Sequence, residues 1–156
     1  MISLDLYGDP IPKKRARTFN NHGKIVTWDS QDKLKEGCKW QLRSQYKEQP
    51  LGMPVVLDVL FLMPIPKSTS KVKQRAMLNG TYHHMVKPDV DNLTKWIGDI
   101  LNGVVIKDDS QIVEIHAKKI YSTKPGTHVR IIPIDQQCQQ PEANAHDLRN
   151  HRLSRG

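Results

Sequence analysis

The sequence predicts an α/β (α+β) fold in a single domain, with one mixed β-sheet of four to five strands and two to three helices. Three observations carry that reading. Residues 55–63, VVLDVLFLM, are a nearly unbroken apolar and β-branched run, the pattern of a buried central strand. Within 91–102, Leu93, Trp96, Ile97, Ile100 and Leu101 recur at helical spacing and form one apolar stripe. Segments 111–121 and 127–134 read as two strands joined by the turn Thr123-Lys124-Pro125-Gly126.

Taken in chain order, Ile2, Leu4 and Leu6 alternate with Ser3, Asp5 and Tyr7, which is strand periodicity. Gly8-Asp9-Pro10 ends that strand, and the proline-bounded stretch PIPKKRART reads as a basic loop. Residues 30–48 read as a helix, with Ser30 at its N-cap and Leu34, Cys38, Leu42 and Tyr46 on one face. Pro50, Gly52 and Pro54 break it before the central strand. After PIPKSTS, a short basic helix is expected around Ser70–Asn79, stopped by Gly80. The striped helix then opens with Asp91 as its expected N-cap and closes at Gly103. VVIKDDSQ follows, read as a short strand running into a turn.

The chain has 156 residues, carries a net charge of +8 and shows no internal repeat. Its last stretch, 135–156, is polar and aperiodic and reads as a disordered tail, so the folded domain is expected over 1–134. Asp135, Glu142 and Asp147 in the tail balance Arg149, Arg152 and Arg155, so the whole positive charge lies on 1–134. A basic domain of this size suits a polyanion, because Lys and Arg displace counterions condensed on phosphates. The two cysteines, Cys38 and Cys138, lack the spacing of a zinc site and point to a reducing, cytoplasmic compartment. MISLDLYGDP has no secretory-leader pattern. No apolar run approaches the roughly twenty residues of a membrane span.

The informative stretch for chemistry is KPDVDNLTKWIGDILNGVVIKDDSQIVE, residues 87–114. Pro88 biases Lys87 toward extended backbone, in which residues two apart share a side. Asp89 and Asp91 are therefore expected to face one spot at the helix start, while Val104–Ile106 returns Asp108 and Asp109 at a strand end. Carboxylates gathered together repel one another and call for a cation, and all-oxygen ligands select Mg²⁺ or Mn²⁺. Lys95 lies one helical turn after Asp91, where its ammonium can meet a phosphate. On these residues alone, Asp91 serves equally well as a plain cap and Asp108-Asp109 as a plain turn. A calcium loop is excluded, since counting from Asp89 its sixth and twelfth positions are Thr94 and Ile100 rather than Gly and Glu.

Two motifs here resemble the signature of the RusA family of Holliday-junction resolvases. They are Asp89-Val90-Asp91-Asn92-Leu93-Thr94-Lys95 and Asp108-Asp109-Ser110-Gln111-Ile112. The likeness extends more weakly over residues 1–134. It implies a homodimeric, Mg²⁺-dependent endodeoxyribonuclease that resolves four-way junction DNA by paired symmetric nicks in recombination and repair, found in bacteria and phages. It further implies Asp89, Asp91 and Asp109 as metal-binding catalytic acids, Lys95 as the catalytic lysine, and Asp108 and Asn92 as supporting residues. Lys13, Lys14, Arg15, Arg17 and Lys87 are the expected DNA contacts. The segment His83-His84-Met85-Val86-Lys87-Pro88 departs from the dense arginine run a family member carries before its first aspartate.

The remaining candidates divide between function and plain structure. Lys67, Lys71, Lys73 and Arg75 fit phosphate binding or a solvated face, and His83 and His84 fit phosphate contact or surface placement. Trp96 suits the core or an interface, and Phe19 and Trp28 either stack on bases or enter the core. Two other functions remain open at this point: a non-catalytic branched-DNA-binding protein, and a nuclease of flaps or other branched DNA.

Overall fold

The computed structural model describes residues 1–135. The expected disordered tail, Cys138 included, lies outside the described residues but for Asp135. Strand β1 spans Ile2–Tyr7, β2 Arg17–Asn21, β3 Lys24–Trp28, β4 Val55–Pro64, β5 Ile112–Ser122 and β6 Gly126–Pro133. Helix α1 spans Asp32–Gln45, α2 Lys71–Leu78 and α3 Val90–Leu101, and a single 3₁₀ turn covers Asp109–Gln111. The main sheet has four strands in the order β1-β6-β4-β5, and β2 and β3 form a separate two-stranded sheet. β4 pairs antiparallel with β6 and parallel with β5, so the sheet is mixed, as the sequence predicts.

Register places the core on one face of the sheet. Leu4 pairs with Val129 and Val129 with Val59, while Ile131 pairs with Leu57. All five are buried, together with Val55, Phe61 and Met63 on alternate positions of β4. The opposite side of β4 is half-buried, so this central strand is covered fully on one side only. The predicted stripe of α3, Leu93, Trp96, Ile97, Ile100 and Leu101, is buried throughout in the same core. Each such side chain contributes about 1.5–3 kcal/mol relative to exposure. α1 packs beside α3 and over β1, burying Cys38 and Leu42, while Leu34 at its start stays exposed.

Several local expectations change. The N-caps are Gln31 rather than Ser30 for α1, and Asp89 rather than Asp91 for α3. Ser70 and Gly80 bound α2 as predicted, with the Ser70 side chain accepting from Lys73 N and Gly80 at φ +83°. Residues 104–106 are no strand. Val104, Val105 and Ile106 turn inward and are buried, and the amides of Val104, Val105 and Ile106 all donate to Leu101 O. Apolar residues in so short a run fit a buried turn as well as a strand, and closure onto the end of α3 wins. The stretch after the basic loop, to which the sequence reading assigns no element, forms the β2–β3 hairpin, with Gly23 at φ +82° completing its turn.

Among the described residues, no helix is long and apolar enough to cross a membrane.

Candidate active site

The first turn of α3 and the 3₁₀ turn meet across one cleft. Asp91, Thr94, Lys95, Gly98, Asp99 and Asp109 line it, with Lys13 above and Leu57, Ile112 and Ile115 behind, around a volume of about 460 Å³. Asp91, Lys95 and Asp99 reach the same wall because they are four residues apart on one helix. Asp109 arrives from the opposite side, beside Gly98. A Cβ added at Gly98 would lie 4.0 Å from Asp109 Cβ, its nearest neighbour. Ile115, paired with Leu57 across β4 and β5, is half exposed at the cleft.

The two lysines are paired within this wall. Lys95 Nζ donates to Asp91 Oδ2 at 3.0 Å, and Lys13 Nζ lies 2.8 Å from Asp99 Oδ2. Both are solvent-accessible pairs, worth at most about 1 kcal/mol for Lys13–Asp99 and about 0.5 kcal/mol for the one-turn pair Lys95–Asp91, and readily exchanged for another partner.

Asp89 stands apart from Asp91. It lines an adjoining cleft of about 380 Å³ with Pro12, Lys13, Lys87, Pro88 and Asn92. The expectation that both aspartates face one spot assumed extended backbone through both. Asp89 is extended at φ −72°, ψ 145°, but Asp91 is already helical, and helical geometry turns each residue by about 100°. Lys13 belongs to both clefts and links them.

Asp108 is the N-cap of the 3₁₀ turn. Its side chain accepts from Ser110 N at 2.8 Å, and its own amide donates to Gln111 Oε1 at 2.9 Å. The bonds from Ser110 hold the Asp108 carboxyl below the usual carboxylate range. Gln111 Nε2 in turn donates to Leu51 O and Met53 O, which anchors the turn presenting Asp109. Asp108 therefore shapes the turn while Asp109 faces the cleft. Asn92 contributes its carbonyl, which accepts from Lys13 N at 3.0 Å and seats the basic loop against α3.

Three participants were missed at the sequence level. Asp99 was not singled out from the sequence, although its spacing of four from Lys95 was the available signal. Gln31, almost fully buried, accepts from Lys14 N at 2.6 Å and donates to Pro12 O at 2.9 Å, clamping the basic loop. Lys119 Nζ donates to Val86 O at 2.8 Å and Pro88 O at 3.0 Å, fixing the segment that enters Asp89. No local pattern marks Gln31 or Lys119. Lys14, Arg15, Arg17 and Lys87 are exposed, as DNA contacts require. His83 is exposed, whereas His84 is buried beside Tyr121 with its Nδ1 unpartnered. Trp96 lies in the core, while Phe19 and Trp28 lie outside it.

The donor set suits a hard divalent cation in part. Asp91 and Asp109 bring carboxylate oxygens to one cleft, and Mg²⁺ keeps several waters, so few protein ligands suffice. Among the described residues, however, no three His, Cys, Asp or Glu side chains gather closely enough to enclose a metal by themselves.

Comparison with known proteins agrees with the motifs. The family model described as "Endodeoxyribonuclease RusA" matches residues 7–132. A Bacillus subtilis (strain 168) protein described as "Uncharacterized protein YqaN" is 35% identical over 134 residues, covering 83% of this chain and 94% of that one. With the family model spanning most of the chain and the paired aspartate motifs meeting across one cleft, the chain belongs to the RusA family of endodeoxyribonucleases.

Proposed function

We propose that this protein is a Mg²⁺-dependent, structure-selective nuclease that resolves Holliday junctions by paired symmetric nicks in DNA recombination and repair. The observation that carries the reading is the shared cleft of Asp91 and Asp109, walled by Lys95 and Lys13, in a member of an endodeoxyribonuclease family. Asp91 and Asp109 would hold the ion, with Asp89 in the adjoining cleft as the third candidate ligand and Mn²⁺ as a substitute. When bound, Mg²⁺ supplies an activated water and polarises the scissile phosphate.

The chain's own residues do the rest. Lys95, paired here with Asp91, would hold the phosphate or steady the leaving oxygen were Asp91 engaged with the ion. Lys13, balanced against Asp99, orients the phosphate between the two clefts. Asp108 and Gln111 keep Asp109 in place through the capped turn. Lys14, Arg15, Arg17 and Lys87 bind flanking backbone through charge, with a salt dependence that counts those contacts. A junction must be nicked in two strands of like polarity, which a homodimer's two symmetry-related sites supply. The folded unit is taken as 1–134, acting in the cytoplasm of a bacterium or on behalf of a phage.

A cleavage assay tests this against its alternatives. Purified protein is incubated with a synthetic four-way junction, a linear duplex and a flap, in Mg²⁺ or in EDTA. The expected result is symmetric cutting of the junction in Mg²⁺ alone. Binding without cutting makes this a branched-DNA-binding protein instead, and cutting of flap or duplex as fast as junction removes the junction assignment. Asp91→Asn should abolish cutting and retain junction binding.

A further inference from the structure

The β2–β3 hairpin stands outside the core: every residue of both strands is exposed, and its sheet contains no other strand. An isolated two-stranded hairpin is marginally stable in water. This one nevertheless carries Phe19, Ile25, Val26 and Trp28 at 52, 78, 39 and 56% exposure. Leaving such surface in water is unfavourable, and it marks a contact face.

Register sorts the side chains. Arg17 pairs with Trp28, Phe19 with Val26 and Asn21 with Lys24, so these six share one face. Thr18 and Thr27 meet on the other face, their hydroxyls 3.4 Å apart. The first face thus combines two aromatic rings with two cations. From Pro10 to Trp28 the chain holds Lys13, Lys14, Arg15, Arg17 and Lys24 and no aspartate or glutamate. Lys13, four residues before the hairpin, lines both clefts that hold the candidate acids. The hairpin therefore begins within four residues of a side chain that lines both clefts.

We propose that this face docks on the DNA branch point, with Phe19 and Trp28 stacking on bases exposed there and Arg17 and Lys24 binding the adjoining phosphates. The inference rests on the branched-DNA reading and names the element that discriminates. Cations alone bind any duplex. Base–aromatic stacking needs a free base face, which a branch point offers and a continuous duplex does not.

The test uses the full chain in EDTA, with a four-way junction carrying 2-aminopurine at the branch point and a linear duplex of the same sequence. Phe19→Ala, Trp28→Ala and the double variant are compared with wild type by titration, and the double variant also by sedimentation velocity. Neither ring contributes to the core, so folding is expected to hold, and circular dichroism checks it. Each single variant should weaken junction binding on the order of tenfold. Duplex affinity should stay within about twofold, the 2-aminopurine signal on binding should be lost in the double variant, and the sedimenting mass should not change. A wild type that prefers the junction, with a double variant that binds it equally well, overturns this inference alone. So does equal loss on junction and duplex, or a dimer that becomes a monomer, which would assign the face to a second copy. A wild type without junction preference overturns the branched-DNA reading and this inference with it.

Discussion

Gln31 offers a sharp test of how the basic loop is held. Its side chain bonds both Pro12 O and Lys14 N, and its own amide donates to Asp29 Oδ1 at 2.9 Å. Gln31→Ala removes two side-chain bonds and leaves two backbone groups of a half-buried loop without protein partners. Each such bond is worth about 1 kcal/mol net, and more where water cannot take its place. The expected loss is about 2 kcal/mol, which for a domain of this size is roughly 6–8 °C in Tm. Gln31→Leu should lose as much, since it restores volume without donor or acceptor. Gln31→Glu keeps the acceptor for Lys14 N but has no donor for Pro12 O, so relief is partial at best. The functional consequence is separate: a freed loop no longer sets Lys13 beside Asp99, and junction affinity should fall on the order of tenfold, or ~1.4 kcal/mol. Urea melts and junction titrations read the two effects. A Gln31→Ala protein that melts within a degree of wild type would refute the clamp. One that melts low yet binds junction normally would show that the loop's placement does not serve DNA.

Further outcomes follow from the same geometry. Lys95→Met breaks an exposed pair worth at most about 0.5 kcal/mol, so Tm should barely move, while cutting in Mg²⁺ falls by roughly a hundredfold or more. A parallel loss of Tm and cutting would make Lys95 a structural residue. Gly98→Ala introduces a Cβ with ordinary contact to Asp109 and should raise stability by about 0.5–1 kcal/mol through helix propensity, measured by urea denaturation. A destabilised variant would show that the two walls are closer packed than this. Burial, and then the nearby Lys119 charge, hold the His84 pKa below its ordinary value. The unfolded chain therefore binds the proton first, and stability should fall as pH drops below about 6.5 until the folded-state pKa is passed. His84→Phe should lessen that dependence, and an unchanged stability–pH curve would assign it to other groups.

Much of the fold was legible because strand and helix periodicity is written in consecutive residues. The alternation in β1, the apolar run of β4 and the stripe of α3 each stand as expected. Val104–Ile106, read as a strand, and the β2–β3 stretch, given no element, share a cause: both are short, and over so few residues strand, turn and loop look alike. In the same way, Phe19 and Trp28 suited either the core or a surface, and only the hairpin's separation from the main sheet decides it.

The acidic pair shows where local pattern ends. The sequence by itself determined that Asp89, Asp91, Lys95, Asp108 and Asp109 lie in two motifs whose pairing is characteristic of one nuclease family. Tertiary structure decided which of them meet. The turn from extended backbone into helix sends Asp89 to one cleft and Asp91 to the next. The capped 3₁₀ turn, lying beside Gly98, places Asp109 in the cleft that Asp91 lines. Gln31, far from either motif, sets Lys13 between the clefts. Periodicity is a property of neighbours along the chain, whereas convergence of side chains depends on long-range packing, which no local pattern contains.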